Sequence, residues 1–210
     1  MLIFALTAYL AEILPIVFYL VFLKRNRGEG LWVIFLYSVL SLMVEGLFWI
    51  THQQIVFSYW TILQFTLFSF FLYSSLKDRR FKYIPILGGL IFYVVAIANF
   101  TNERYDSISA SLESVLIITY CIFLLYEEVK DPSAGFVYNN KKFWVIIAFF
   151  LYFSATLFLS IYFSTLSEQQ RVSYWIINNF FEILKNILFS VSFIMKKNDR
   201  QVHAMDELDI

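Results

Sequence analysis

The sequence predicts an all-α membrane protein of seven transmembrane helices, with its N-terminus outside and its C-terminus in the cytoplasm. Three observations predict it: an apolar composition, seven apolar runs of membrane-crossing length, and basic residues confined to alternate loops. Of 210 residues, 60% are hydrophobic and 15% charged, with 25 Phe and 14 Tyr. A soluble domain carries about a quarter charged residues, and one small core cannot hide so much apolar surface from water. Lipid is the expected solvent and the cell membrane the expected location. The net charge is zero, so no basic excess points to nucleic acid, and no composition shift marks a second domain.

A helix needs about 20 mostly apolar residues to cross a hydrocarbon core of ~30 Å. The seven runs cover residues 2–23, 31–50, 56–76, 83–100, 109–126, 143–164 and 175–195. They are continuous instead of alternating, which excludes a β-barrel, and helices satisfy their own backbone hydrogen bonds in lipid. Met1 leads straight into apolar sequence without a basic leader or a small-residue cleavage pattern, so the first run is expected to stay.

Orientation follows from Lys and Arg, which are retained on the cytoplasmic side. One side holds Lys24, Arg25, Arg27, Lys77, Arg79, Arg80, Lys82, Lys130, Lys141, Lys142, Lys196, Lys197 and Arg200. The other holds only Arg104 and Arg171, and Lys185 falls inside the seventh span. Trp49, Tyr59, Trp60, Tyr174 and Trp175 gather near the outer ends, as an interfacial aromatic belt does.

An internal repeat is expected to organise the spans. Trp32-Val33-Ile34 opens the second span and Trp144-Val145-Ile146 the sixth, an offset of 112. Ser58-Tyr59-Trp60 opens the third and Ser173-Tyr174-Trp175 the seventh, an offset of 115, while Glu12 and Glu113 match at 101. Residues 1–197 then form one domain: a first triplet at about 1–82, a linker helix at 83–100 and a second, parallel triplet at 109–197. A short cytoplasmic tail, 198–210, follows.

This three-plus-one-plus-three plan resembles the SWEET and PQ-loop transporters and, more distantly, the microbial rhodopsins. The resemblance implies a seven-helix fold with a central binding site. No Pro-Gln pair occurs here, and Pro15 alone is similar to the helix-kinking prolines of the transporters. Rhodopsins carry an acid four residues before the retinal lysine, where this chain has Phe181, and charged residues in the third span, where it has Gln64. Retinal is not expected.

Ionisable residues at bilayer depth are functional-site candidates by default. Glu12 and Lys185 each lie ten residues into their spans, which places them about 15 Å deep, near the midplane. Glu182 sits one turn above Lys185, and Glu45 and Glu113 fall in the outer thirds of the second and fifth spans. Asn178, Glu182, Lys185 and Asn186 share one helical face by their spacing, and Gln64 corresponds to Asn179 in the repeat. Turned inward, these nine residues line an outward polar chamber with four Glu against one Lys. That excess needs compensation by protonation, a bound cation, a hydroxyl-rich ligand or water. Two other readings remain beside it: a packing-only bridge from Lys185 to Glu12 or Glu182, and a solvated Glu113 should its helix start later. Cys121 is expected to be buried, and His52 and His203 solvated.

Two histidines cannot build the three-ligand zinc site of a membrane hydrolase, and no nucleophile elbow or phosphate-binding loop occurs. No enzyme, metal or cofactor is expected. The leading expectation is a sensor or signalling subunit, which binds a small molecule or proton outside and acts on a cytoplasmic protein partner through the basic loops, the 127–142 loop or the acidic Asp206, Glu207 and Asp209. A small-solute or proton-coupled transporter and a structural scaffold are the alternatives. For transport, Pro15, Gly88 and Gly89 are the hinge candidates.

Overall fold

Each apolar run becomes a helix, and polar side chains set where the helices end. The computed structural model describes residues 2–27, 30–51, 55–100, 106–130, 137–162 and 167–196. His52, Arg104, Lys197, Arg200, His203 and the acidic tail residues lie outside them. The described residues are 89% helical and contain no strand. Eight helices follow in chain order: α1 (Leu2–Val21), α2 (Leu23–Asn26), α3 (Trp32–Thr51), α4 (Ile55–Ser75), α5 (Tyr83–Asn99), α6 (Ser107–Lys130), α7 (Lys141–Tyr162) and α8 (Glu168–Ile194). All but the single turn α2 correspond to the seven apolar runs.

The starts of the later helices are capped. The Asp106 carboxylate accepts from the backbone N–H of Ile108 and Ser109 at 3.1 and 3.0 Å, which fixes the start of α6 ahead of the apolar run. Asn140 accepts from the Lys142 N–H at 3.0 Å before α7. Ser167 and Gln170 form a reciprocal capping box, so α8 begins seven residues before the apolar run at Trp175. Gly30, at φ 76°, takes the left-handed turn that leads into α3.

Six of the long helices close into a ring. α1 packs on α3, α3 on α4, α4 on α6, α6 on α7, α7 on α8, and α8 returns to α1. α5 stands outside the ring, against α4 and α6. Short links between packed neighbours make consecutive helices antiparallel, so the bundle has two distinct ends. One carries the start of α1, the ends of α3, α5 and α7 and the starts of α4, α6 and α8. The other gathers most of the described basic residues, from Lys24 in α2 to Lys196 after α8, while Arg171 lies at the start of α8 and Lys185 midway along it. Among the described residues three helices are long and apolar enough to cross a membrane: Ile55–Ser75, Ser107–Lys130 and Lys141–Ile161. Thr7–Val21, Trp32–Phe48 and Tyr83–Asn99 are shorter apolar helices.

Aromatic side chains fill the middle of the ring. Tyr37 packs on Phe68 at 4.4 Å between ring centroids, Phe68 on Phe149 at 4.1 Å and Phe149 on Phe189 at 5.4 Å. All four are buried from solvent, and edge-to-face or offset pairs of this kind contribute about 1 kcal/mol each beyond area burial. Below them Tyr19 meets Phe193 at 5.2 Å.

The basic end is stapled by polar contacts. Arg25 Nε donates to the Met195 carbonyl at 2.6 Å, and Asn26 Nδ2 donates to the Phe193 carbonyl at 3.3 Å. Lys141 Nζ donates to the Arg25 carbonyl at 3.0 Å and to Asn26 Oδ1 at 3.1 Å. Ser192 Oγ donates to the Lys141 carbonyl at 2.9 Å, so α2, α7 and α8 are tied together. Glu127 accepts from the N–H groups of Lys77 and Asp78, both at 3.0 Å, and ties the α4–α5 loop to α6. Arg25 and Lys141 thus have internal work, which positive-inside counting does not reveal.

Both α1 and α5 run unbroken through the hinge candidates Pro15, Gly88 and Gly89. Gly88 is a close-approach site: a Cβ there would lie 2.0 Å from Tyr120 Oη on α6. A Cβ on Gly89 would meet nothing within 4 Å. Gly88→Ala is therefore expected to destabilise the protein by about 2 kcal/mol through overpacking. Gly89→Ala is expected to leave stability unchanged or raise it, since Ala favours helix by about 1 kcal/mol. Thermal unfolding of both variants in detergent checks the contrast, and equal losses would contradict it.

Candidate functional site

A cavity of about 360 Å³ lies inside the ring, above the aromatic layer. It is built from the same half of each ring helix. α1 contributes Ala8 and Glu12, α3 runs from Tyr37 to Phe48, and α4 runs from Phe57 to Gln64. α6 contributes Ala110, Glu113 and Ser114, α7 runs from Tyr152 to Ser160, and α8 contributes Trp175, Asn178, Asn179 and Glu182. α5 contributes nothing to the wall. Phe48, Phe57, Ala110 and Ser160 stand in terminal turns of their helices, so the cavity reaches the end of the bundle away from the basic loops.

Seven of the nine polar candidates are on this wall: Glu12, Glu45, Gln64, Glu113, Asn178, Asn179 and Glu182. Lys185 and Asn186 lie just below it, each only 1% exposed, and Glu182 joins them to it. Lys185 Nζ is 2.6 Å from Glu182 Oε1, and Asn186 Nδ2 donates to the same oxygen at 3.4 Å. Of the two bridges open to Lys185, the structure makes the one to Glu182. Nζ also donates to Tyr37 Oη and lies 4.6 and 4.3 Å from the ring centroids of Tyr37 and Tyr152. One carboxylate and two π faces thus enclose the ammonium.

The other carboxylates are less well matched. Glu12, 1% exposed, accepts from Ser41 Oγ at 2.5 Å through Oε1, while its Oε2 is buried without a hydrogen-bond partner. Glu113, 4% exposed, has its Oε1 in the same condition. α6 begins at Ser107, nearly two turns earlier, so Glu113 lies within the helix, on the cavity wall. Glu45 is part-buried on the wall. Glu12 lies within electrostatic reach of Glu45, Glu182 and Lys185. Four carboxylates therefore face one lysine, and a buried charge without a partner costs several kcal/mol.

Sequence reading missed the hydroxyl lining. Tyr37, Ser41 and Glu45 fall four residues apart on α3, as do Tyr152, Thr156 and Ser160 on α7. That spacing puts each set on one face and was the available signal. Thr156 and Ser160 donate to backbone carbonyls one turn back, at 3.0 and 3.1 Å, which leaves their lone pairs for the cavity. Trp60 and Trp175, read as interfacial anchors, are also on the wall.

Among the described residues no three His, Cys, Asp or Glu side chains are grouped to hold a metal ion. Lys185→Met leaves Glu182 buried without its partner and is expected to cost about 3 to 5 kcal/mol of stability. Adding Glu182→Gln to it is expected to restore most of that loss. Melting curves for the single and double variants measure the difference, and additive losses would contradict the pairing. The chain matches no protein-family model, no curated protein and no solved structure.

Proposed function

We propose that the chain is a seven-span membrane sensor: a small ligand enters the chamber from outside, and the helices relay its binding to a cytoplasmic partner. The observation that carries this reading is the chamber's asymmetry. It reaches one end of the bundle, while a packed aromatic layer and then the Arg25–Asn26–Lys141 contacts close the other. A site approached from one end only would suit detection. The staple is where a signal would leave, because α2, α7 and α8 meet there. Ligand that shifts α8 through Glu182 would strain those contacts, a bias between two packings.

Several features support seven spans. The seven long helices measure 17 to 27 residues, and the outer face of α5 exposes Ile86, Leu87, Leu90, Ile91, Val94 and Ile97, each by 49% or more. Water tolerates such a stripe poorly and lipid readily. The gathering of most described basic residues at one end supports a cytoplasmic C-terminus.

A second reading, secondary transport, is favoured by the ring itself. Every neighbour relation in α1, α3, α4 has its counterpart in α6, α7, α8: α1–α3 with α6–α7, α3–α4 with α7–α8, and α4–α6 with α8–α1. The matched motifs share burial too, with Val33, Ile34, Val145 and Ile146 all at 1% exposure or less. Parallel triplets about a linker helix are a transporter plan.

Cysteine labelling separates the two. Cys121 is fully buried, so single cysteines can be introduced at Thr156, on the chamber wall, and at Ser75, buried at the basic end of α4. An impermeant thiol reagent added outside intact cells is expected to modify Thr156→Cys and spare Ser75→Cys. Modification of both from outside favours a through-path and transport. Protection of Thr156→Cys from the outer reagent removes the outward chamber.

A further inference from the structure

Glu12 and Glu113 stand on opposite walls of the chamber. α1 neighbours α3 and α8 in the ring, whereas α6 neighbours α4 and α7, so the two helices face each other across it. Each residue is more than nine-tenths buried, lines the cavity and carries a carboxylate oxygen with no hydrogen-bond partner. Burying one such acceptor unsatisfied is costly, and two in one cavity are a structural demand for donors. Among the described residues no side chain hydrogen-bonds either oxygen: the ammonium of Lys185 lies within electrostatic reach of both acids but makes its direct contacts to Glu182, Tyr37 and Tyr152.

We infer that the chamber binds a linear organic dication, one protonated amine at Glu12 and the other at Glu113. This rests on the outward chamber proposed above. A metal ion is not what the acids suggest: among the described residues no three His, Cys, Asp or Glu side chains are grouped, and the carboxylates are distributed around the wall. A neutral hydroxylated ligand would supply donors but no charge to match the carboxylates in their ionised form. An ammonium supplies both, with three donors for carboxylate and hydroxyl oxygens. Trp60, Trp175 and Phe57 on the wall offer flat apolar surface to an alkyl chain and π faces to its charged ends. The volume of about 360 Å³ is at the small end of ligand pockets, which suits a short unbranched molecule. The protein already contains the chemistry once, since Lys185 is held by a carboxylate and two rings directly below.

The test uses the full chain in lipid nanodiscs. α,ω-Diaminoalkanes of increasing length, and the monoamine of each length, are titrated by calorimetry and as protectants of Thr156→Cys against thiol labelling. One diamine length is expected to bind best and to slow labelling. Glu12→Gln and Glu113→Gln, which keep side-chain size, are each expected to weaken it about thirtyfold or more, the loss typical when one partner of a buried charge pair is removed. Melting curves of both variants verify folding. If monoamines bind as tightly as diamines, or only one substitution matters, the dication is wrong. If Thr156→Cys is labelled from outside and no diamine protects it, the amine assignment falls and the outward chamber stands. If it is not labelled, both fall together.

Discussion

The bridge between Glu182 and Lys185 is the contact on which the rest of the bundle's interior depends. An ammonium in the middle of an apolar ring is tolerable only if it is fully coordinated, and here a carboxylate, a phenol oxygen and two aromatic faces do that. Three helices are fixed in the process: Tyr37 comes from α3, Tyr152 from α7, and both partners of the bridge from α8. Tyr37 also packs on Phe68, which carries the constraint to α4 and, through Phe149, back to α7. The lysine thereby stands between the polar cavity and the aromatic layer below it.

Consuming the one lysine has a consequence for the charge above it. Glu12, Glu45 and Glu113 remain on the wall within reach of the field of Lys185, and among the described residues the Ser41 hydroxyl is the hydrogen-bond donor they have; a packed protein core would not ordinarily keep such a set. Polar contacts between membrane helices are worth only ~0.6 kcal/mol on average, too little to justify carboxylates whose oxygens go unbonded. The proposed ligand would account for their presence. The basic end offers the comparison, for there Asn26, Lys141 and Ser192 find partners across three helices. Arg25 Nη2 and Ser75 Oγ are unbonded at that end too, but the unbonded carboxylate oxygens belong to the chamber.

The helices were almost fully legible because their signal is one of composition. Seven uninterrupted apolar runs admit few structures in lipid, and the described helix ends depart mainly at α6 and α8, where Asp106 and the Ser167–Gln170 box extend the helix past the apolar segment. The site was legible to the extent that charge is conspicuous in an apolar segment, as Glu12, Glu113, Glu182 and Lys185 are. What could not be read was pairing. Which Glu holds Lys185 depends on rotamers and on α3 and α7 approaching α8, and nothing in the spacing chooses. Tyr37, Ser41, Thr156 and Ser160 went unread because hydroxyls are common in membrane helices, where they usually bond their own backbone, as Thr156 does. Arg25 and Lys141 were hidden by the topology rule itself, since a charge explained by orientation invites no second role.

The most direct measurement is a high-resolution experimental density map of the chamber, in protein purified from its own membrane without added ligand washes. The expected result is density for a molecule outside the chain, within hydrogen-bonding distance of both Glu12 Oε2 and Glu113 Oε1, with Lys185 still on Glu182. A chamber collapsed onto itself, with Lys185 turned to Glu12 and Glu113 bonded to a neighbouring helix, would contradict the ligand site and leave the acidic residues as packing.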